Sequence, residues 1–483
     1  MFVQNWDPLA NSTSTGDNNS FRLLYKIIAA STFSMYFILS FFIEILWFGY
    51  QFVLKMFLLF SPLCFSLRPV ILIPGLYGSN LYATYDDFSR HWYCPKKLNN
   101  DIIWVNLKYV IPPTYNCLFE MMACQYNTDT KTIESQPGIK VDVIDFGGAE
   151  GVSYADKGIA GHHFFESFGP LFDYLKGKGY TVKKDLFGAP YDWRLAMAGI
   201  EKTLFPKLKA LVEEAYQKNN NMAVVILGYS CGGFVLQRFF TTYVTQQWKD
   251  QYIFKTILMA PAFAGSSVTL DVAWKRYFPM LPFIHNDIIT KSVENTPVLH
   301  ALFPNHVVFG NDPIVIGPSG EKIIASQVPK FLIDNQKVTG TSIDMMMQNV
   351  EISKIEPKFI GVPTYILYNS GVDTPKTLVF NKGYGEDPDT LMTPGDGTVP
   401  AQGPEYVCNK WKSDKFAILC HDLKQGGDDF NHEGIGTNPY VHDLIFKAII
   451  DSKGAKDWIN KKGTSFVTSP LVKVTNNTYV IVQ

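Results

Sequence analysis

The chain has 483 residues, with 43 lysines and arginines against 44 aspartates and glutamates, for a formal charge of -1. Without an excess of cations there is no broad basic field for nucleic acid, so that class of partner is excluded. Charged residues make up 18% and hydrophobic ones 47%, which excludes a disordered or coiled-coil chain and predicts a large buried core with an unusually apolar segment besides.

Residues 1–20 are polar and read as a solvated tail. Residues 21–67 are apolar and aromatic. Within them Ile27–Phe52 is 26 residues with one charge, Glu44. As a helix it would span about 39 Å, enough for a hydrocarbon layer of about 30 Å with some tilt. A retained membrane anchor, a cleaved signal segment and a helical hairpin at a surface all remain open. Seven cysteines leave at least one unpaired.

From residue 68 to 483 short apolar runs alternate with amphipathic stretches. Val70–Ile73, 223–227, 255–259, 363–367 and 415–420 read as strands. Residues 171–178, 203–217 (with Pro206 in the first turn), 234–248 and 441–450 read as helices. The alternation predicts an α/β protein with a mostly parallel sheet. Residues from about 84 to 160 and about 265 to 345 show no clean alternation and read as insertions over that core.

Gly228-Tyr-Ser-Cys-Gly232 matches G-x-S-x-G between a buried strand and a helix. In such an elbow the serine takes strained backbone angles, and the positions two away must be tiny. Ser230 is therefore the candidate nucleophile of an α/β-hydrolase fold, whose chain order is serine, acid, histidine. Asp396, in Pro394-Gly-Asp-Gly-Thr-Val399, is the best acid, with Asp387 and Asp389 as alternatives. His432, in a loop before the last helix, is the best base; His421 is the alternative. Two backbone N–H groups, of Leu76 and Cys231, are the candidates for an oxyanion hole.

These residues resemble the lecithin:cholesterol acyltransferase family, over most of residues 69–450. Pro69–Gly75 with Gly78, Asn80 and Leu81 is similar to the family's first strand and oxyanion turn. Gly188-Ala-Pro-Tyr-Asp-Trp-Arg194 is highly specific to it. Trp248-Lys-Asp250, Ala260-Pro261, Thr374-Pro375 and Gly395–Val399 follow in the family's order. The resemblance places the triad on Ser230, Asp396 and His432 and the oxyanion donors on Leu76 and Cys231. It implies a disulfide between Cys94 and Cys117 clamping a membrane-touching loop near Trp92 and Trp104. It also implies an ion pair, Asp192 with Arg194, that supports the active-site region or serves as a structural pair at a strand end. Three departures stand out. Tyr229 replaces the elbow's usual histidine. Ala262-Phe263 stands where the family has a tryptophan. The family's second disulfide would join Cys408 to the position held by Ile366, which leaves Cys408 to pair with Cys420 or remain free.

The expectation is thus an α/β-hydrolase domain over 68–483, with cap and lid insertions and an N-terminal hydrophobic membrane helix. Its substrates would be a phospholipid acyl donor and a lipid alcohol such as a sterol or diacylglycerol. It would work at a membrane surface in the lumen of the secretory pathway or outside the cell, with no metal or cofactor. Release of free fatty acid to water, as a phospholipase A, and catalytically silent lipid binding are the alternatives.

Overall fold

The computed structural model describes residues 26, 39, 42–49, 67–89, 91–154, 167–278, 287–451, 465–468, 471–475 and 478–482. The chain divides into two units, Met1–Ser66 and Leu67–Gln483. In the first, residues 42–49 are helical, and Leu46, Trp47 and Phe48 are exposed. Among the described residues no helix is long and apolar enough to cross a membrane. The polar tail, Cys64 and most of the expected Ile27–Phe52 span lie outside the described residues.

The second unit is built on a seven-stranded sheet, labelled here in chain order as β1 (Val70–Ile73), β2 (Leu186–Gly188), β3 (Val224–Tyr229), β4 (Ile253–Met259), β5 (Thr364–Tyr368), β6 (Ile418–Asp422) and β7 (Ser465–Thr468). The spatial order is β7-β6-β5-β4-β3-β1-β2, and every pair is parallel. Such strands are apolar along their whole length because both faces are covered. Ile71, Ile73, Ile226 and Leu258 pack with Leu204 and Leu208 of helix Met197–Lys218 and with Val235 of helix Cys231–Arg238. Their neighbours Val70, Leu72, Leu227 and Met259 turn the other way, onto Leu171 of helix Gly169–Gly177 and Val441 and Ile445 of helix Pro439–Ile450.

Two helices depart from the sequence reading. Pro206 lies inside a helix that begins at Met197, not in its first turn. Proline there removes one backbone bond, but Met197, Ile200, Leu204, Leu208 and Leu211 extend one buried stripe past it, and that burial wins. The single helix expected over 234–248 is broken into Cys231–Arg238, a wide turn at Phe239–Tyr243 and Gln246–Tyr252. Thr241 and Thr242 donate their hydroxyls to the carbonyls of Gln237 and Arg238, at 2.8 and 2.7 Å, which loosens the turn. Thr245 then caps the next helix by accepting from Trp248 N–H.

The two irregular stretches hold structure of their own. The first contains a three-stranded antiparallel sheet, Leu81–Asp86 with Lys97–Trp104 and Ile139–Val143, and helix Tyr115–Met122. The second forms a separate apolar cluster around Trp274, Phe331 and Ile314, against a four-stranded sheet that includes Val372–Val379 and Asp389–Gly395. Short strands pairing across long loops leave no local periodicity, which is why the sequence pattern missed them.

Cys94 is bonded to Cys117, and Cys408 to Cys420. Cys420 lies on β6 directly beside Ile366 of β5. Cys408 therefore finds its partner one strand over from the position that the family resemblance implied. Cys124 and Cys231 are buried free thiols.

Candidate active site

At β1 the strand order reverses: the chain next adds β2 on one side and β3 on the other. The loops leaving the carboxyl ends of β1 and β3 diverge there, and a crevice opens between them. Register places Ile73, the last residue of β1, opposite Gly228 of β3. The turn after β1 and the elbow after β3 are therefore neighbours.

Ser230 sits in the elbow at φ 54° and ψ -122°, a conformation that ordinary side chains avoid. The glycines around it are there for space. A Cβ on Gly232 would lie 2.4 Å from the carbonyl oxygen of Ile73. One on Gly228 would lie 2.8 Å from that of Gly232, and one on Gly75 would lie 2.9 Å from Ser230 Cβ.

Asp396 arrives by a different route. Strand Val372–Val379 leaves the end of β5, and Asp389–Gly395 returns antiparallel to it, with Gly395 back beside Val372. That hairpin delivers Asp396 to the crevice. One carboxylate oxygen accepts the N–H groups of Thr398 and Val399 at 3.0 and 2.7 Å; the other meets His432 Nδ1 at 2.8 Å. His432 Nε2 faces Ser230 Oγ at 2.9 Å. A carboxylate on Nδ1 keeps the proton there and leaves the Nε2 lone pair toward the serine. His432 opens a short helix, His432–Thr437, rather than lying in a loop, and Asn431 caps it by accepting from Gly434 N–H. The segment before it is held by Asn369, which donates to the carbonyls of Gly427 and Phe430. Burial would lower the pKa of His432, but the attraction and hydrogen bond of Asp396 outweigh it and raise it above the ordinary imidazole value.

The alternatives do not reach this point. His421 lies within β6, buried, with Nδ1 2.7 Å from Tyr365 OH. Asp389 begins the returning strand and accepts from Asn381.

Leu76 lines the crevice beside Ser230. Cys231 is the first residue of its helix, where backbone N–H groups have no partner within the helix. Its thiol is pushed up to about 11 by burial, which makes it a poor nucleophile. The turn that carries Leu76 is strapped from three sides. Tyr191 OH donates to the carbonyl of Pro74 at 3.1 Å, Trp104 Nε1 to that of Tyr77 at 2.8 Å, and Trp193 Nε1 to that of Ser79 at 3.1 Å. The sequence reading missed these straps. It set Trp104 beside a membrane-touching loop, whereas its side chain is buried; Trp92 is 87% exposed. The signal for Tyr191 and Trp193 was present in the Gly188–Arg194 motif, which ends β2 next to β1.

Arg194 is wholly buried and grips Asp192 with two bonds, Nε to Oδ1 at 2.9 Å and Nη2 to Oδ2 at 2.7 Å. Its remaining donors reach the carbonyls of Met121 and Met122 and the hydroxyl of Ser135. The pair ties the end of β2 to the first insertion.

Beyond Ser230 a cleft of about 470 Å³ runs past Leu76, Val268, Val272, Leu299, Leu302 and Val399. A hydroxyl, an imidazole and a carboxylate in sequence, at the switch point of a parallel sheet and opening on an apolar cleft, define a serine-dependent acyl-transferring enzyme of α/β architecture. Residues 99–356, just over half of the chain, match the family lecithin:cholesterol acyltransferase. The phosphatidylcholine-sterol acyltransferase of Gallus gallus is 27% identical over 376 residues, covering 77% of this chain and 88% of the relative. The lysosomal phospholipase A and acyltransferase of Homo sapiens is 27% identical over 360 residues, covering 74% and 85%. The chain belongs to the lecithin:cholesterol acyltransferase family.

Proposed function

We propose that this protein moves a fatty acyl chain from a phospholipid to a lipid alcohol, a sterol or a diacylglycerol, through an acyl-Ser230 intermediate. The observation that carries this reading is the unbroken line from Ser230 Oγ through His432 to Asp396 at the mouth of an apolar cleft. Ser230 Oγ attacks the ester carbonyl while its proton passes to His432 Nε2. Charge on the carbonyl oxygen is met by the N–H groups of Leu76 and Cys231, the second aided by the helix that it opens. The tetrahedral species collapses, His432 returns the proton to the leaving glycerol oxygen, and a lysophospholipid departs. The acceptor hydroxyl then gives its proton to His432, attacks the acyl-Ser230 carbonyl, and the new ester leaves as Ser230 recovers its proton. Asp396 orients the imidazole and stabilises its charged form throughout.

Water competes with the alcohol for the same acyl-enzyme, so phospholipase A activity is the second reading. The relative named a lysosomal phospholipase A and acyltransferase favours keeping it. Residues 21–67 would hold the domain at a membrane, on the strength of the nearly uncharged run Ile27–Phe52. Trp92, exposed beside the Cys94–Cys117 disulfide, would touch the lipid surface. The domain would then face the lumen or the outside, where disulfides persist.

The test is product analysis with vesicles of labelled phosphatidylcholine that also hold a sterol and a diacylglycerol. Labelled lipid ester is expected from the wild type and none from Ser230→Ala. Free fatty acid alone would make the protein a phospholipase. Equal product from Ser230→Ala would overturn the scheme.

A further inference from the structure

Tyr229 stands at the crossing of every part of the site. It is the last residue of β3, immediately before Ser230. Its hydroxyl donates to the backbone carbonyl of His432 at 2.6 Å. Its ring lies against the imidazole of His432, centroids 5.3 Å apart and planes 28° from parallel. At its edge the ring meets the glycine turn after β1: a Cβ on Gly75 would come within 3.3 Å of Tyr229 Cδ1. At its tip it passes over Gly436, whose position faces Cζ at van der Waals distance.

His432 has two other anchors, and both come from Asp396. Its N–H donates to the Asp396 carbonyl at 2.7 Å and its Nδ1 meets the carboxylate at 2.8 Å. Those contacts fix the histidine relative to the hairpin that follows β5, not relative to the nucleophile. Ser230 and His432 are 202 residues apart and are joined by a 2.9 Å contact of their side chains. Tyr229 adds a second connection, one residue from the nucleophile, and it holds main chain rather than a rotatable side chain. Histidine at this position has no hydroxyl, and its ring is shorter than the phenol that reaches that carbonyl.

We propose that Tyr229 is a positioning residue, whose hydroxyl locks the His432 backbone to the nucleophile strand and so sets the Nε2–Oγ distance. This rests on the triad reading above. A small error in such a distance is expensive in rate, because proton transfer needs aligned atoms at hydrogen-bond range.

Tyr229→Phe removes the hydroxyl and keeps the ring. The experiment uses the full chain and reads kcat, KM and the pH profile of acyl release from phosphatidylcholine vesicles, with melting temperature as the fold control. Expected are a kcat about tenfold lower, an unchanged KM, and an acidic limb left in place, because both contacts of His432 with Asp396 remain. A second readout needs no lipid: the rate at which a fluorophosphonate probe labels Ser230 falls by the same factor. Tyr229→His, the residue usual at this elbow, would show the same loss and serves if the phenylalanine variant does not fold. A wild-type kcat in either folded variant overturns the proposal, as does a loss confined to melting temperature or KM. Ser230→Ala runs in parallel: if that variant stays active the triad reading itself has failed, whereas an inactive Ser230→Ala beside an unaltered Tyr229→Phe disposes of the positioning role alone.

Discussion

At the scale of single residues the site is governed by the charge state of one imidazole. In the proposed mechanism, attack by Ser230 requires His432 with an unprotonated Nε2, and protonation there stops the reaction. Because Asp396 raises His432 above the ordinary imidazole value, activity is expected to fade already in mildly acidic solution, as pH drops through that raised value. Asp396→Asn takes away the attraction and leaves burial, which pulls the other way. Its residual activity should lie about 10⁴-fold below wild type, with the acidic limb moved down in pH. Profiles of kcat/KM against pH for the two proteins check this, and a limb that stays in place would separate Asp396 from the base.

At the scale of elements, Arg194 ties the end of β2 to the first insertion. Its planar fork matches the Asp192 carboxylate and also serves two carbonyls of helix Tyr115–Met122. Arg194→Lys keeps the charge and loses the fork, so buried acceptors go without donors. A loss of about 3 kcal/mol or more is expected, read as a lower melting temperature; a variant that melts with the wild type would show that the tie is not needed. Elements also show what could be read in advance. The five central strands and the elbow were legible because both-face burial writes apolar runs, and because the packing around Ser230 admits only glycine at positions 228 and 232. Asp396 and His432 were legible through short motifs, and the structure brings both within hydrogen-bond reach of their neighbours. The buried bond of Trp104 to the Tyr77 carbonyl was not legible, because an indole near a loop looks the same in sequence whether it meets lipid or a carbonyl. The hairpin that carries Asp396 was invisible because its residues show no clean apolar alternation: Asp389–Gly395 is mostly exposed or half-buried, and Val372–Val379 carries Asp373, Pro375 and Lys376.

At the scale of the whole molecule, buried histidines set the response to acid. His300 is fully buried with no partner for Nδ1, and burial pushes it down to about 4. His421 is also pushed down to about 4, burial outweighing Asp422. The unfolded chain takes up these protons near 6.5, the ordinary value. Their stabilisation is therefore complete above pH 6.5 and is lost as pH falls toward 4, by a few kcal/mol for each group. His432, shifted upward, runs in the opposite sense: its contribution is present at low pH and is lost as pH rises through its folded value. Melting temperature should fall as pH drops from 6.5 to 4, and His300→Leu should flatten the slope. An unchanged slope would place the acid sensitivity elsewhere.

The order in which the pieces leave the ribosome gives the spacing of the site a further meaning. Gly75, Ser230 and Asp396 all precede the base, which comes 202 residues after the nucleophile and 36 after the acid. A nascent chain can therefore complete β1 to β5 and expose its serine while the group that activates that serine has yet to be made. The site becomes competent only when the segment around His432 docks onto β1 to β6, all of which precede it in the chain.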